Sequence, residues 1–246
     1  MVDTHCHLDL LDNIEASLRR ARDQGLKRIA TVGMDGASIK LALSFARRYD
    51  EVFAIVGRHP NAAAGFDDYA LEEIKRAAVH PMTRAIGETG LDYYRDHASR
   101  EDQRRAFAAQ LDVAQDVGLP VVIHTRQAEA DTFDVLRTFE GTVVMHCFSS
   151  PGRLDECVER GYMCSFAGNV TYPKSRDLQR AAKELPEELL LVETDSPFLA
   201  PQPVRGKPNE PSNVTHTARL VAELRGIGYD ELDALVERNA ARVFRW

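Results

Sequence analysis

Imidazole and carboxylate side chains end several short apolar segments of this sequence. His5 and His7 close the first segment, and residues two apart on a predicted strand point to the same face. The other members of the set each follow a later segment: Glu88, His124, His146 and Asp195. Four of the eight histidines belong to this set, which chance placement would rarely produce. Because imidazoles and carboxylates bind divalent cations, the pattern predicts a metal centre.

The size of this set indicates more than one ion. A catalytic site that keeps an open position uses about three protein ligands, so the set exceeds what one ion needs. Two ions that share one carboxylate would use all six residues of the set. Glu88 is the best candidate for the shared, bridging carboxylate. Two divalent ions about 3.5–4 Å apart can stabilise both the attacking and the leaving oxygen of a phosphoryl displacement. We expect two ions, and the ligand types allow Mg²⁺, Mn²⁺ or Zn²⁺.

The elements that must position these residues follow an α/β pattern. Most apolar segments lack alternation, which is typical of strands buried on both faces of a parallel sheet. Helices are predicted between them, one beginning at Ser99 and ending near Gly118. The predicted strands begin at Val2, Arg28, Val52, Arg84, Val121, Thr142, Tyr162 and Leu189.

This alternation predicts a single (β/α)₈ barrel of the TIM type, with the metal site at the carboxyl ends of the strands. A doubly wound open sheet has the same alternation and is the alternative. No Gly-x-Gly-x-x-Gly follows a strand, which weakens its dinucleotide-binding form. Because barrels of about 250 residues fold as one unit, we expect one domain over residues 1–246.

Composition restricts the class of protein and its partners. The chain is 44% hydrophobic and 28% charged, as in globular proteins, and it has no apolar stretch long enough for a membrane span. No signal peptide is visible, and four cysteines without a C-x-x-C pair indicate free thiols. A net charge of −7 without a basic run disfavours strong non-specific duplex binding. We expect a cytoplasmic monomer with no membrane partner.

Four segments resemble the motifs of the TatD family of metal-dependent deoxyribonucleases. They are residues 3–9 (DTHCHLD), 87–94 (GETGLDYY), 144–149 (VMHCFS) and 193–201 (ETDSPFLAP). The resemblance runs from His5 to the C-terminal helix. It implies a distorted (β/α)₈ barrel, a two-metal centre and hydrolysis of phosphodiesters at DNA or RNA ends, chiefly from the 3′ end.

The resemblance also implies a role for each ligand. His5 and His7 would hold one metal, His124 and His146 the second, and Glu88 would bridge them. Dihydroorotase-like relatives often carry a carboxylated lysine on the fourth strand. The glutamate at this position therefore favours the nuclease branch.

Catalytic and substrate roles follow from the same resemblance. Asp195 would be a ligand and the general base that orients the attacking water, and Glu88 would act with it. Substrate-binding roles are expected for His59, Asn61, Arg126, Lys207 and Glu210, and Glu210 would position a water or a ligating histidine. Asn61 stands where the family often has a second histidine, so a proton-transfer role there is lost.

Aromatic residues near the predicted strand ends allow two interpretations. Tyr93, Tyr94, Phe148 and Tyr172 could stack on a terminal base or pack in the core.

Two other functions fit the same residues. A deacylase acting on an ester or amide, such as a D-aminoacyl-tRNA, would use the same metal centre. A protein that binds metal without catalysis is the third hypothesis, and the intact ligand set argues against it.

Overall fold

The computed structural model describes residues 1–95 and 97–246. The strands are β1 Val2–Cys6, β2 Arg28–Gly33, β3 Val52–Val56, β4 Thr83–Asp92, β5 Val121–Arg126, β6 Val143–Met145, β7 Met163–Phe166 and β8 Leu190–Val192. The α-helices are α1 Ile14–Asp23, α2 Gly36–Arg48, α3 Asp68–Ala78, α4 Arg100–Val117, α5 Glu129–Val135, α6 Leu154–Glu159, α7 Arg176–Glu184, α8 Val214–Arg225 and α9 Tyr229–Phe244.

The strands form one sheet in the order β1 to β8, and every pair whose register is described is parallel. A doubly wound sheet would reverse its strand order at a switch point, and this sheet does not. The predicted (β/α)₈ barrel is therefore confirmed. None of the helices within the described ranges is long and apolar enough to cross a membrane.

The residues divide into two compact units, one of residues 1–31 and 146–245 and the other of residues 32–145 with Trp246. In the first unit β1 pairs with the start of β2, β7 pairs with β8, and Cys6 forms a bridge to Ser196. Helix α9 buries Leu232, Leu235, Val236 and Val243, and the terminal amine of Met1 pairs with Asp233 at 2.7 Å. That the chain folds as one domain stays a prediction.

In the second unit β4 is longer than predicted. The apolar segment ends at Ile86, yet β4 continues to Asp92, with a register irregularity between Ile86 and Thr89. The prediction that Glu88 follows the strand was therefore wrong, because Glu88 lies within β4. Gly90 permits the extension: its φ is +137°, and a Cβ there would lie 2.0 Å from the carbonyl oxygen of His124.

Helix α4 covers the second unit and has the predicted ends. Ser99 Oγ accepts a hydrogen bond from the Asp102 amide at 3.0 Å, and Gly118 ends the helix with φ +67°. Phe107 is completely buried on its inner face. Because truncation leaves a cavity, we expect Phe107→Ala to lower the free energy of unfolding by about 3–5 kcal/mol in urea titrations. In α2 the half-exposed Leu41 is the control, and Leu41→Ala should change the free energy by at most about 0.5 kcal/mol. Equal losses in the two variants would contradict the assignment of Phe107 to the core.

Candidate metal centre

The first unit brings three imidazoles around one carboxylate. The rings of His5 and His146 stack with centroids 3.6 Å apart, and the ring of His7 meets His5 edge-on at 5.2 Å. Asp195 Oδ1 lies 3.4 Å from His7 Nε2 and 3.9 Å from His5 Nε2. The three imidazoles are buried. The structure thus assembles four of the predicted ligands into one cluster, which we call the Asp195 cluster.

Backbone hydrogen bonds between β1 and the segment after β8 position this cluster. The Asp195 amide donates to the His5 carbonyl at 2.9 Å, and the His7 amide donates to the Ser196 carbonyl at 2.8 Å. Asn209 Nδ2 donates to the carbonyls of Thr194 and Phe198 on either side of Asp195. Asp195 itself has φ +54°, a left-handed conformation that is unfavourable for a residue with a Cβ. The hydrogen bonds of the flanking backbone and of Asn209 hold Asp195 in this conformation.

The electrostatic surroundings keep Asp195 ionised. Burial raises the pKa of Asp195, but a hydrogen bond from His7 lowers it. The charges of His146, His7 and His5 lower it further, and the pKa lies below its ordinary value of 3.8. The carboxylate can therefore bind a cation or accept a proton at neutral pH.

A second carboxylate lies beside His146 in this unit. Glu193 Oε1 lies 2.7 Å from His146 Nδ1 and accepts a hydrogen bond from the Cys147 amide at 2.9 Å. Glu193 is completely buried, and its Oε2 has no hydrogen-bond partner within the described ranges. A carboxylate on one ring nitrogen is the usual support for an imidazole that binds a metal through the other.

The second unit assembles the remaining predicted ligands around Glu88. Glu88 Oε1 lies 2.7 Å from His124 Nδ1 and 3.5 Å from His59 Nε2. His124 Nε2 lies 3.2 Å from Asp92 Oδ2, so each ring nitrogen of His124 faces a carboxylate. We call these residues the Glu88 cluster. The pairing of β4 with β5 places them, because Gly90 is in register with His124.

His59 has a defined protonation state in the Glu88 cluster. Burial lowers its pKa below 6.5 although the nearby charge of Glu88 opposes this, so the imidazole is neutral at pH 7. Its Nδ1 accepts a hydrogen bond from the Asn61 amide at 3.1 Å. The single ring proton is therefore on Nε2, which makes His59 a donor. Asn61 Nδ2 in turn donates to Asp92 Oδ2 at 3.3 Å.

Both clusters have donor sets that fit divalent cations. In the first, His5, His146 and Asp195 offer ligand atoms within 4.8 Å of one another, and in the second Glu88 and His124 do, whereas the lone pair of His59 Nδ1 accepts the Asn61 amide hydrogen. The 3.4 Å between Asp195 Oδ1 and His7 Nε2 lies within the roughly 3–3.5 Å that separates two ligands of one ion with bonds of about 2 Å. The unpartnered buried oxygen of Glu193 adds negative charge that a cation would balance.

Comparisons with known proteins identify the family of this chain. The sequence model of the family described as TatD related DNase matches residues 2–245. This chain belongs to the TatD-related DNase family. The metal-dependent hydrolase YabD of Bacillus subtilis is 36% identical, across 100% of this chain and 99% of its own length. The 3′-5′ ssDNA/RNA exonuclease TatD of Musicola paradisiaca is 35% identical, across 94% of this chain and 91% of its own.

A solved structure shows the same fold. The crystal structure of YJJV, a TatD homologue from Escherichia coli, has a TM-score of 0.95 and 30% identity, covering 100% of this chain and 98% of that one. The resemblance seen in the sequence is thus confirmed. Like its relatives, this TatD-related DNase is a metal-dependent hydrolase.

The predicted substrate contacts lie in three kinds of surroundings. Arg126 is exposed at the end of β5, with its guanidinium carbon 3.8 Å from the centre of the Tyr94 ring. Lys207 is exposed in the segment between β8 and α8. Glu210 accepts hydrogen bonds from the Arg20 guanidinium, with Nε 2.7 Å from Oε1. Their substrate roles stay predictions, as does the assignment of each ion to its ligands.

Sequence reasoning missed Asp92 and Glu193. Both lie in the motifs that carry the family resemblance, and each stands at or just beyond the carboxyl end of a strand. For Glu193 this is the same signal that selected Asp195, so it could have found Glu193. Asp92 lies beyond the predicted end of its strand at Ile86, so the signal could not have found it.

The contact between Glu193 and His146 gives a testable role for Glu193. An amide in place of the carboxylate would make the imidazole less basic, so we expect Glu193→Gln to weaken Mn²⁺ binding about 10- to 100-fold. Titration of the protein with Mn²⁺ measures this. The exposed Glu184 at the end of α7 is the matched control, and Glu184→Gln should bind Mn²⁺ as the wild type does. An unchanged affinity in Glu193→Gln would show that this carboxylate does not support a ligand.

Proposed function

We propose that this enzyme is a 3′–5′ exonuclease that hydrolyses phosphodiester bonds at the ends of single-stranded DNA or RNA with two divalent ions. The observation that carries the proposal is the Asp195 cluster, an ionised and partly exposed carboxylate among three buried imidazoles. It is supported by the 35% identity to a relative named 3′-5′ ssDNA/RNA exonuclease. Active sites of (β/α)₈ enzymes lie at the carboxyl ends of the strands, as these clusters do.

We propose the ligand assignment that the family resemblance implies. His5 and His7 would hold one ion and His124 and His146 the second, with Asp195 as a further ligand. Glu88 would bridge the two ions. When bound, the ions would lower the pKa of a water and stabilise negative charge on phosphate oxygens.

The protein groups then have separate tasks. Asp195, ionised at neutral pH, orients the attacking water and accepts its proton. His59, neutral and protonated on Nε2, donates that hydrogen to a phosphate oxygen. Glu193 and Asp92 hold the imidazoles of His146 and His124 in place.

Digestion of end-labelled strands tests the reaction and its direction. A single-stranded oligonucleotide labelled at its 5′ end is incubated with the enzyme and Mg²⁺ or Mn²⁺, and products are separated at timed intervals. Stepwise shortening of the 5′-labelled strand, with early release of label from a 3′-labelled strand, is the expected result. Early loss of a 5′ label would instead show digestion from the 5′ end and contradict the proposed direction.

The same assay separates the nuclease from the deacylase hypothesis. No cleavage of DNA or RNA with any divalent ion would contradict the proposal. A D-aminoacyl-tRNA would then be the next substrate, because the same residues can activate water for attack on a carbonyl. Release of the amino acid without shortening of the tRNA would establish the deacylase.

A further inference from the structure

The side chains of Tyr94 and Arg126 form a stacked pair next to the Glu88 cluster. The guanidinium carbon of Arg126 lies 3.8 Å from the centre of the Tyr94 ring, and the tyrosine remains 57% exposed. One face of the ring is therefore covered by the cation while much of the remainder is open. An exposed aromatic face beside a free cation is the usual platform for an unpaired base and its phosphate.

Short connections fix this pair to the catalytic residues. The Tyr94 amide donates to Asp92 Oδ1 at 3.0 Å, and Asp92 Oδ2 lies 3.2 Å from His124 Nε2. On the other strand, Arg126 is in register with Asp92, and its carbonyl accepts a hydrogen bond from the Tyr93 amide at 2.9 Å. The Asp92 carboxylate thus contacts both the His124 imidazole and the backbone amide of Tyr94. The platform has a fixed position relative to the Glu88 cluster.

The neighbouring aromatic residues have other uses. Tyr93 donates its hydroxyl to Asp131 at 2.7 Å, and Arg104 pairs with the same carboxylate at 2.6 Å. Phe148 is buried, so it packs in the core and does not stack on a terminal base. Of Tyr93, Tyr94 and Phe148, Tyr94 is the residue whose ring is mostly exposed.

We propose that Tyr94 and Arg126 form a subsite for an unpaired nucleotide next to the one that is released. The base stacks on Tyr94, and the guanidinium of Arg126 pairs with its phosphate, a geometry that arginine favours. This inference rests on the proposed function, since it names how that site holds its substrate. Stacking on a tyrosine tolerates any base, so the subsite selects single strands over duplexes without selecting sequence.

Kinetics with two substrates test the subsite. One is a single-stranded oligonucleotide, and the other is the p-nitrophenyl ester of thymidine 5′-phosphate, which has no neighbouring nucleotide. Tyr94→Ala removes the ring on which one base stacks. We therefore expect this variant to raise the ratio of the oligonucleotide KM to the small-ester KM roughly 5- to 150-fold. Tyr94→Phe keeps the ring and should keep the ratio. Tyr69, 65% exposed on α3, is the matched control, and Tyr69→Ala should also keep the wild-type ratio.

The outcomes separate this inference from the proposed function. A wild-type ratio in Tyr94→Ala would overturn the subsite while leaving the nuclease intact. Inactivity of the wild type on both substrates would overturn the proposed function instead. In that case the fluorescence anisotropy of a labelled single strand, measured in Ca²⁺, tests the subsite without cleavage. Equal affinities of the wild type and Tyr94→Ala would then overturn it.

Discussion

Replacing Asp195 by asparagine is expected to lower kcat on single-stranded DNA by roughly 10²–10⁴-fold, the usual contribution of a general base. The amide keeps the size of the side chain but cannot accept a proton or provide a negative charge. The loss should persist at saturating Mn²⁺, because an excess of metal can restore occupancy but not proton transfer.

Two further measurements show whether a loss of activity in Asp195→Asn comes from the lost carboxylate. The circular dichroism spectrum of Asp195→Asn should match that of the wild type, since the hydrogen bonds that hold this segment are made by backbone atoms and Asn209. Asp134, exposed on α5 and paired with Arg137, is the control, and Asp134→Asn should keep wild-type activity. Near-wild-type turnover by Asp195→Asn with saturating metal would remove the assignment of Asp195 as the base.

The second large effect is expected at Glu88. If this carboxylate bridges the ions, Glu88→Gln removes the negative charge between two cations about 3.5–4 Å apart. We expect activity to fall by more than the roughly 100-fold cost of losing a residue that only supports a ligand. The measurement is kcat/KM on the same oligonucleotide across a series of Mn²⁺ concentrations.

Thermal unfolding completes the test of Glu88. Bound ions raise Tm because they bind only the native state, so Mn²⁺ should stabilise the wild type more than Glu88→Gln. The exposed Glu140 provides a control, and Glu140→Gln should respond to Mn²⁺ as the wild type does. Equal Mn²⁺-induced increases in Tm for Glu88→Gln and the wild type would contradict a ligand role for Glu88.

The sequence predicted the strands and the candidate ligands near their ends because these signals are local. Apolar segments and the polar residues that end them can be identified without knowing what packs against them. His5, His7, His124, His146 and Asp195 were all found in this way.

The course of β4 could not be predicted in the same way. Gly87 and Gly90 interrupt the apolar pattern, and glycines usually mark the end of a strand. In the structure Gly90 instead allows β5 to approach closely, so that β4 continues to Asp92. Whether a glycine ends a strand or permits contact depends on the neighbouring strand, which the local pattern does not contain.

The carboxylate partners of the imidazoles also depend on distant segments. Asp92 lies 3.2 Å from His124 because β4 and β5 are neighbours in a particular register, and Glu193, which follows β8, lies 2.7 Å from His146, which follows β6. The local pattern does not contain this information.

The proposed reaction requires two ions per chain, and this requirement is tested by measuring metal stoichiometry together with activity. The metal-free protein is dialysed against increasing Mn²⁺, and bound Mn²⁺ and the rate of single-strand digestion are measured on the same samples. We predict two Mn²⁺ per chain at saturation, with activity following the second ion. Full activity with a single bound ion, or activity in the metal-free protein, would contradict the two-metal account.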